Sequence, residues 1–364
     1  MNPALQRFIA RATRLAQNGE LHAATATIQA ALAKAGLADR GGNVVHHGHP
    51  SAARRKTSVI DVEARELASA AGPASPPPAE GRFIAGSHSE AGLTRAYKLF
   101  VPLGEHSAPR PLVVMLHGCT QDPDDFAAGT RMNEAARERG FFVLYPAQAQ
   151  GANASRCWNW FKHNHQTRGR GEPAVLAGMT RGVMQRHTID PHRVYVAGLS
   201  AGGAMAAILG DAYPDLFAAI GVHSGLPAGA ARDLESAFAA MRGGSTGRSH
   251  GAPPAIVFHG DKDATVHPAN GQQVAAASAG AVRAELERSR SAGGRDYTRA
   301  VYRDADGRPL AEHWAVHGAG HAWSGGSPRG SYTDAAGPDA TGEMLRFFFE
   351  HSLAAPHQAP PASG

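Results

Sequence analysis

Cysteine is nearly absent from this chain. Only Cys119 and Cys157 occur among its 364 residues, so at most one bridge can form, and so low a count does not by itself argue for an oxidising compartment. Long apolar runs are missing too: no stretch approaches the roughly 18 residues that a membrane span needs. Arg7, Arg11 and Arg14 interrupt the apolar residues near the N-terminus, which argues against a signal peptide and makes the cytoplasm the favoured compartment. The balance of 36 Lys and Arg against 31 Asp and Glu gives a formal charge of +5. That charge permits attraction to anionic surfaces, but no nucleic-acid motif accompanies it, so DNA and RNA are not expected partners. No metal or organic cofactor is required by any motif. His46, His47 and His49 cluster, yet in a tract of Gly, His, Arg and Ser they read as solvated polar sequence.

What the chain does have is Gly198-Leu199-Ser200-Ala201-Gly202, between the apolar run Val194-Tyr195-Val196-Ala197 and the helix-like Gly203-Ala204-Met205-Ala206-Ala207-Ile208-Leu209. A serine in a strand-to-helix turn flanked by small residues is a nucleophile elbow: strand and helix approach closely, and the hydroxyl stands above a sheet. The helix start offers free N–H groups and positive dipole character to an oxyanion.

Such a serine needs an acid and then a base further along the chain. Ala255-Ile256-Val257-Phe258 reads as a buried strand running into His259-Gly260-Asp261-Lys262-Asp263. His313-Trp314-Ala315-Val316 reads as another, followed by His317-Gly318-Ala319-Gly320-His321-Ala322-Trp323. Loops at the carboxyl ends of parallel strands share one sheet edge. Ser200 is then the expected nucleophile, His321 the base, and a buried aspartate the group that fixes the imidazole tautomer. Asp263 is favoured for that last role, because Asp261 follows Gly260 at the strand mouth and suits bending the loop. His317 is the rival to His321, but it lies at the strand's end rather than inside the glycine loop.

Pro111-Leu112-Val113-Val114-Met115-Leu116 is a near-continuous apolar strand opening into His117-Gly118-Cys119-Thr120-Gln121. The pattern is that of an oxyanion loop, with the backbone N–H groups of Cys119 and Ala201 as expected donors. Cys119 and Cys157 are either two unrelated thiols or a disulfide tying this loop to Arg156-Cys157-Trp158-Asn159-Trp160-Phe161.

Together with Asp125-Phe126 and Gly320-His321-Ala322-Trp323-Ser324-Gly325-Gly326, these motifs resemble the poly(3-hydroxybutyrate) depolymerase-type esterases, which are similar in turn to feruloyl and acetylxylan esterases. The resemblance covers residues 80–352. It implies an α/β-hydrolase fold, serine carboxylesterase activity, Ser200, Asp263 and His321 as a triad, and a Cys119–Cys157 disulfide. It also makes an extracellular location the alternative to the cytoplasm.

The rest of the sequence agrees with one α/β catalytic domain over 81–352. An antiparallel start at 82–84 and 96–101 precedes strands over 112–116, 141–145, 193–197, 219–222, 255–258 and 313–316. Helical patterns fall at 132–139, 174–185, 203–212 and 234–241, and Phe347-Phe348-Phe349 lies in a final amphipathic helix. Alternation of this kind predicts a mostly parallel sheet with helices on both faces. Before it, apolar residues at helical spacing predict a hairpin over 1–36, and Pro73-Ala74-Ser75-Pro76-Pro77-Pro78 ends a flexible linker over 37–80. A disordered tail is expected over 353–364.

Trp158, Trp160 and Trp323 are candidate substrate-binding residues: exposed, they would form an apolar subsite, and buried, they would prop the loops. The leading functional reading is a serine esterase acting on small or polymeric hydroxyacyl esters, including 3-hydroxybutyrate oligomers. A feruloyl or acetyl esterase for decorated polysaccharide is the alternative within the same chemistry. A non-catalytic granule- or surface-binding protein, with contact through residues 1–36, is the alternative of another class.

Overall fold

The structure, a computed structural model, describes residues 81–104, 108–245, 247 and 252–354. The expected hairpin over 1–36, the linker over 37–80 and residues 355–364 of the expected tail lie outside the described residues. An antiparallel hairpin, β1 (Arg82–Glu90) and β2 (Leu93–Val101), comes first. β3 (Arg110–Leu116), α1 (Pro123–Thr130), α2 (Met132–Arg139) and β4 (Phe142–Pro146) follow. After a long loop come α3 (Gly171–Arg186), β5 (Ile189–Leu199), α4 (Ala201–Ala212) and β6 (Ala219–His223). The next elements are α5 (Leu234–Gly243), β7 (Ala255–Gly260), α6 (Ala269–Ala279), β8 (Ala284–Arg290), β9 (Asp296–Arg303) and β10 (Pro309–Val316). The short parallel pair β11 (Trp323–Ser324) and β12 (Thr333–Asp334) and the helix α7 (Ala340–Phe349) complete the series.

Ten strands form one sheet in the order β1-β2-β4-β3-β5-β6-β7-β10-β9-β8. Neighbours from β4 through β10 are parallel, and the pairs at both ends are antiparallel. The apolar runs of the central strands follow from burial on both faces. In β3, Leu112, Val114 and Leu116 join one core with Leu176 and Met205, while Val113 and Met115 join the other with Phe126 and Met344. Alternate side chains point to opposite faces, so a strand covered on both sides cannot alternate with polar residues. This is the α/β-hydrolase architecture. Among the described residues no helix is long and apolar enough to cross a membrane.

Six elements lie outside the sequence reading: α1, α6, β8, β9 and the two-residue strands β11 and β12. α1 is short, and its start lies in capping chemistry rather than periodicity: Asp122 accepts from the Asp124 and Asp125 N–H groups, with Pro123 in the first turn. α6 is rich in Ala, Gln and Asn and has little apolar contrast. β8, Ala-Glu-Leu-Glu-Arg-Ser-Arg, is exposed along nearly its whole length, and β9 beside it is half-buried. Charged side chains on an edge strand discourage pairing with other chains, and they also erase the apolar pattern by which a strand is read.

Candidate active site

Ser200 sits where β5 becomes α4, with φ 58° and ψ −120°. Such a backbone costs a non-glycine residue about 1–3 kcal/mol and persists only when its surroundings fix it. They do so here: the Ser200 N–H donates to His223 O at 2.9 Å, and Ser200 O accepts from the Ala204 N–H at 2.9 Å. The flanking glycines are required by space. A Cβ on Gly198 would lie 2.4 Å from Gly202 C and 2.6 Å from Leu116 O, and one on Gly202 would lie 2.0 Å from Leu116 O. Close approach of β3, β5 and α4 thus dictates the residue types around Ser200.

Two strand ends away, Asp263 follows β7 and His321 lies between β10 and β11. His321 Nδ1 is 2.7 Å from Asp263 Oδ2. A carboxylate only accepts, so Nδ1 carries the proton and Nε2 keeps its lone pair. Oδ1 of the same carboxylate accepts from the Thr265 and Val266 N–H groups, each at 2.9 Å. Burial would raise the Asp263 pKa, but the close N–H of His259, the hydrogen bond from His321 and the field of His321 outweigh it and hold the carboxyl far below the usual range. The Ser200 hydroxyl has no hydrogen-bond partner among the described residues, His321 included; in free enzymes of this chemistry that bond is often loose and tightens around substrate. The rivals Asp261 and His317 pair with each other instead, Nδ1 to Oδ2 at 3.0 Å, with side chains 40% and 43% exposed.

The loop carrying His321 is pinned from two sides. A Cβ on Gly260 would lie 2.3 Å from Ala319 O, so the loop rests directly on the end of β7. His223, at the end of β6, accepts the Ser324 N–H on Nε2 at 2.9 Å, approaches Ser224 Oγ at 3.2 Å through Nδ1, and stacks on Trp323 at 5.1 Å. Burial, with the fields of His259 and His321 adding to it, drives the His223 pKa down to about 3. His223 is therefore a neutral brace that links the elbow, through its carbonyl, to the His321 loop.

On the other side of Ser200, His117 orders the loop after β3. Its Nε2 accepts the Gln148 N–H at 3.1 Å, so Nδ1 donates to Gly118 O at 2.8 Å. The Gly118 N–H is used by Gln121 Oε1 at 2.9 Å, and Gln121 Nε2 donates to Asp125 Oδ2 at 2.9 Å. The N–H groups of Cys119 and Ala201 donate to no protein acceptor among the described residues. A Cβ on Gly118 would lie 3.7 Å from Ser200 Cβ, which sets this loop against the elbow. A disulfide joins Cys119 to Cys157. Among the described residues no group of three or more His, Cys, Asp or Glu side chains is placed to hold a metal ion.

The tryptophans do not form an exposed subsite. Trp158, Trp160 and Trp323 are 0%, 5% and 1% exposed. Trp158 packs against the His117 ring, and Trp323 donates Nε1–H to Thr341 Oγ1 at 3.1 Å. They prop the loops: Trp158 lies against His117, Trp160 against Phe161, and Trp323 between Phe126 and His223. The exposed aromatic here is Tyr332, at 47%, with φ 52° and its hydroxyl 3.2 Å from Thr120 Oγ1. It was missed in the sequence because a tyrosine in a Gly- and Ser-rich loop carries no periodic signal.

The Trp-rich segment is held by Glu172, a fully buried carboxylate in the first turn of α3. It accepts from the Asn159 N–H and side-chain amide, each at 2.7 Å, from Gln148 Nε2 at 2.5 Å and from Arg95 Nη2 at 3.2 Å. Burial raises its pKa, but the contacts with His165, Gln148 and Asn159 outweigh that and lower it to about 2. A depressed carboxyl stabilises the fold above its unfolded value, and the gain is lost as pH falls toward about 2. The shift corresponds to roughly 3 kcal/mol. Urea midpoints between neutral pH and pH near 3 are expected to fall less steeply for Glu172→Gln than for the wild type; equal slopes would contradict this.

The profile of the family described as Esterase PHB depolymerase matches residues 95–284. Poly(3-hydroxyalkanoate) depolymerase C of Paucimonas lemoignei is 35% identical over 231 residues, 59% of this chain and 55% of that protein. Poly(3-hydroxybutyrate) depolymerase of Ralstonia pickettii is 32% identical over 242 residues, 60% of this chain and 49% of that protein. The chain thus spans about half the length of the curated relatives it matches. The solved acetyl xylan esterase from Aspergillus awamori, 20% identical, covers 73% of this chain and 99% of its own with a TM-score of 0.58, a likeness of fold. With the profile match extending over more than half of its residues, this chain belongs to the PHB depolymerase esterase family.

Proposed function

We propose that this chain is a serine carboxylesterase that hydrolyses hydroxyacyl esters through an acyl-enzyme on Ser200. The observation that carries the reading is the tautomer of His321: Asp263 Oδ2, 2.7 Å from Nδ1, leaves Nε2 as a base at the sheet edge where the elbow ends. In the first step Ser200 Oγ bonds to the ester carbonyl carbon as its proton passes to His321 Nε2. The tetrahedral oxyanion takes hydrogen bonds from the Cys119 and Ala201 N–H groups, each worth about 3 kcal/mol in the transition state. Collapse breaks the carbon–oxygen bond to the alcohol, which leaves with the proton from His321. Water then gives a proton to His321 and attacks the acyl carbon, releasing the acid and restoring Ser200.

The names of the two relatives support hydroxyalkanoate esters as the substrate class, soluble oligomers or polymer. The disulfide supports an oxidising location, the extracellular alternative, over the cytoplasm. The test compares hydrolysis of 3-hydroxybutyrate oligomers and methyl ferulate by the wild type and Ser200→Ala. We expect kcat/KM for the oligomers to exceed that for methyl ferulate by at least about tenfold, with both rates abolished in the variant. The reverse ratio would move the assignment to feruloyl esters, and no Ser200-dependent hydrolysis of either would leave a binding protein.

A further inference from the structure

His259 lies at the carboxyl end of β7 and is 1% exposed. Its Nε2 is 2.9 Å from Val266 O and 3.4 Å from Asp263 Oδ2. Both neighbours are acceptors, so Nε2 carries a proton: it is donated along the short arm to the carbonyl, and the long arm to the carboxylate is a charge–dipole contact outside hydrogen-bond geometry. That is the oxygen which also accepts from His321 Nδ1. Val266, whose carbonyl takes the short arm, donates its own N–H to Asp263 Oδ1. One imidazole thus ties the carboxylate to the turn that presents it.

The ring has no freedom to turn away. His259 pairs with Ala315 across β7 and β10, and His313 on β10 shares its face of the sheet. α6 covers that face, and a Cβ on Gly271 would lie 2.7 Å from His259 Nδ1 and 3.1 Å from His313 Nε2. Neither nitrogen has a hydrogen-bond partner among the described residues. The packing of α6 through a glycine therefore seats the ring by contact alone on its Nδ1 side, and all of its polar interaction is directed at the Asp263 turn.

We propose that His259 is a positioning residue for the reaction, which holds the Asp263 carboxylate toward His321 by donating Nε2–H to Val266 O, in the turn that binds Oδ1, and by setting that N–H 3.4 Å from Oδ2. The inference rests on the reading of Asp263 and His321 as parts of an esterase. Removing the donor leaves more negative charge on Oδ2 for the imidazolium of His321 to feel, so a base that must be unprotonated to act becomes competent only at higher pH. The titratable groups facing this cluster are His259 and His321, His223 from β6 and His313 from β10. Burial and the fields of neighbouring histidines bring His223 down to about 3, and burial followed by the field of His259 brings His313 down to about 4. Both are thereby held in the neutral form near neutral pH.

The test measures pH profiles of kcat/KM on p-nitrophenyl butyrate for wild type, His259→Phe and His259→Gln. His259→Phe is expected to lose about 3- to 10-fold in kcat, the range for an ordinary hydrogen bond in the turn that presents the carboxylate, with KM changed less than about twofold. Its acid limb is expected to move up by about half a pH unit. Glutamine can place an amide donor where Nε2 stood, and is expected to recover most of the loss and return the limb. A His259→Phe protein with the wild-type limb and turnover would overturn the proposal. If that variant fails to fold, histidine-ring ¹⁵N NMR of the wild type decides: a proton on Nε2 and none on Nδ1 of His259 supports it, and the opposite tautomer overturns it. An inactive wild type would instead reject the esterase reading, and the NMR result would still stand by itself.

Discussion

Replacing Ser200 with alanine is expected to lower the turnover of p-nitrophenyl butyrate by about 10⁴- to 10⁶-fold, the range for loss of a nucleophile whose partners act as a unit. The loss comes from chemistry and not from a changed fold, because the elbow's shape belongs to its neighbours. Gly198 and Gly202 make room for β3 and α4, and the Ser200 amide and carbonyl, not its hydroxyl, tie the turn to His223 and Ala204. Alanine keeps the strained φ of 58°. Ser200→Gly relieves it, and is expected to be as inactive as the alanine variant but more stable by about 1 kcal/mol, read from urea midpoints. A Ser200→Ala protein retaining a tenth of wild-type turnover, with the substrate and product mass-checked, would contradict the assignment.

Asp263→Asn is expected to cost about 10³- to 10⁴-fold in kcat near neutral pH. The carboxylate faces only donors: the Thr265 and Val266 N–H groups at Oδ1, and His321 Nδ1 and the long arm of His259 at Oδ2. An amide must place its NH₂ on one side or the other. Toward His321, it stabilises the tautomer with Nδ1 as acceptor and the proton on Nε2, which removes the base. Toward Thr265 and Val266, it sets donor against donor and loosens the turn. Asp261→Asn provides the comparison. Asp261 pairs with His317 in the open, and exposed pairs of this kind contribute little. Its kcat is expected to stay within about twofold of wild type, and a larger loss at Asp261 than at Asp263 would reverse the two roles.

Most of the framework was readable in the sequence because covered parallel strands must be apolar along their whole length. The runs 112–116, 142–145, 194–197, 219–222 and 255–258 meet that condition, and Gly198, Gly202, Gly225 and Gly260 at the ends of β5, β6 and β7 mark close backbone contact. The motif segments therefore fall at one sheet edge on the sequence pattern alone. β8 was invisible for the opposite reason, its charged edge having no buried face to announce it. The residues proposed to bear the chemistry are legible as motifs, and those that hold them in place are not. His223 and His259 are buried within apolar strands, where a histidine reads as an ordinary core residue until its polar partners are seen: the Ser324 N–H and Ser224 Oγ at His223, and Val266 O at Nε2 of His259. Glu172 has no local signal either, since its partners Asn159, Gln148 and Arg95 lie 13, 24 and 77 residues away along the chain. The tryptophans were legible as neighbours of the site but not as buried ones, because burial there depends on how His117, His223 and Phe126 close around them.

The central claim is that Ser200 is activated by His321 at this sheet edge, and the most direct measurement is covalent capture of the hydroxyl. The protein is treated with diisopropyl fluorophosphate and its peptides are mapped by mass spectrometry. A single phosphoryl adduct is expected on Ser200 in the wild type, absent from Ser200→Ala and formed far more slowly in His321→Ala. An unlabelled wild type, or an adduct on another residue, would contradict the account.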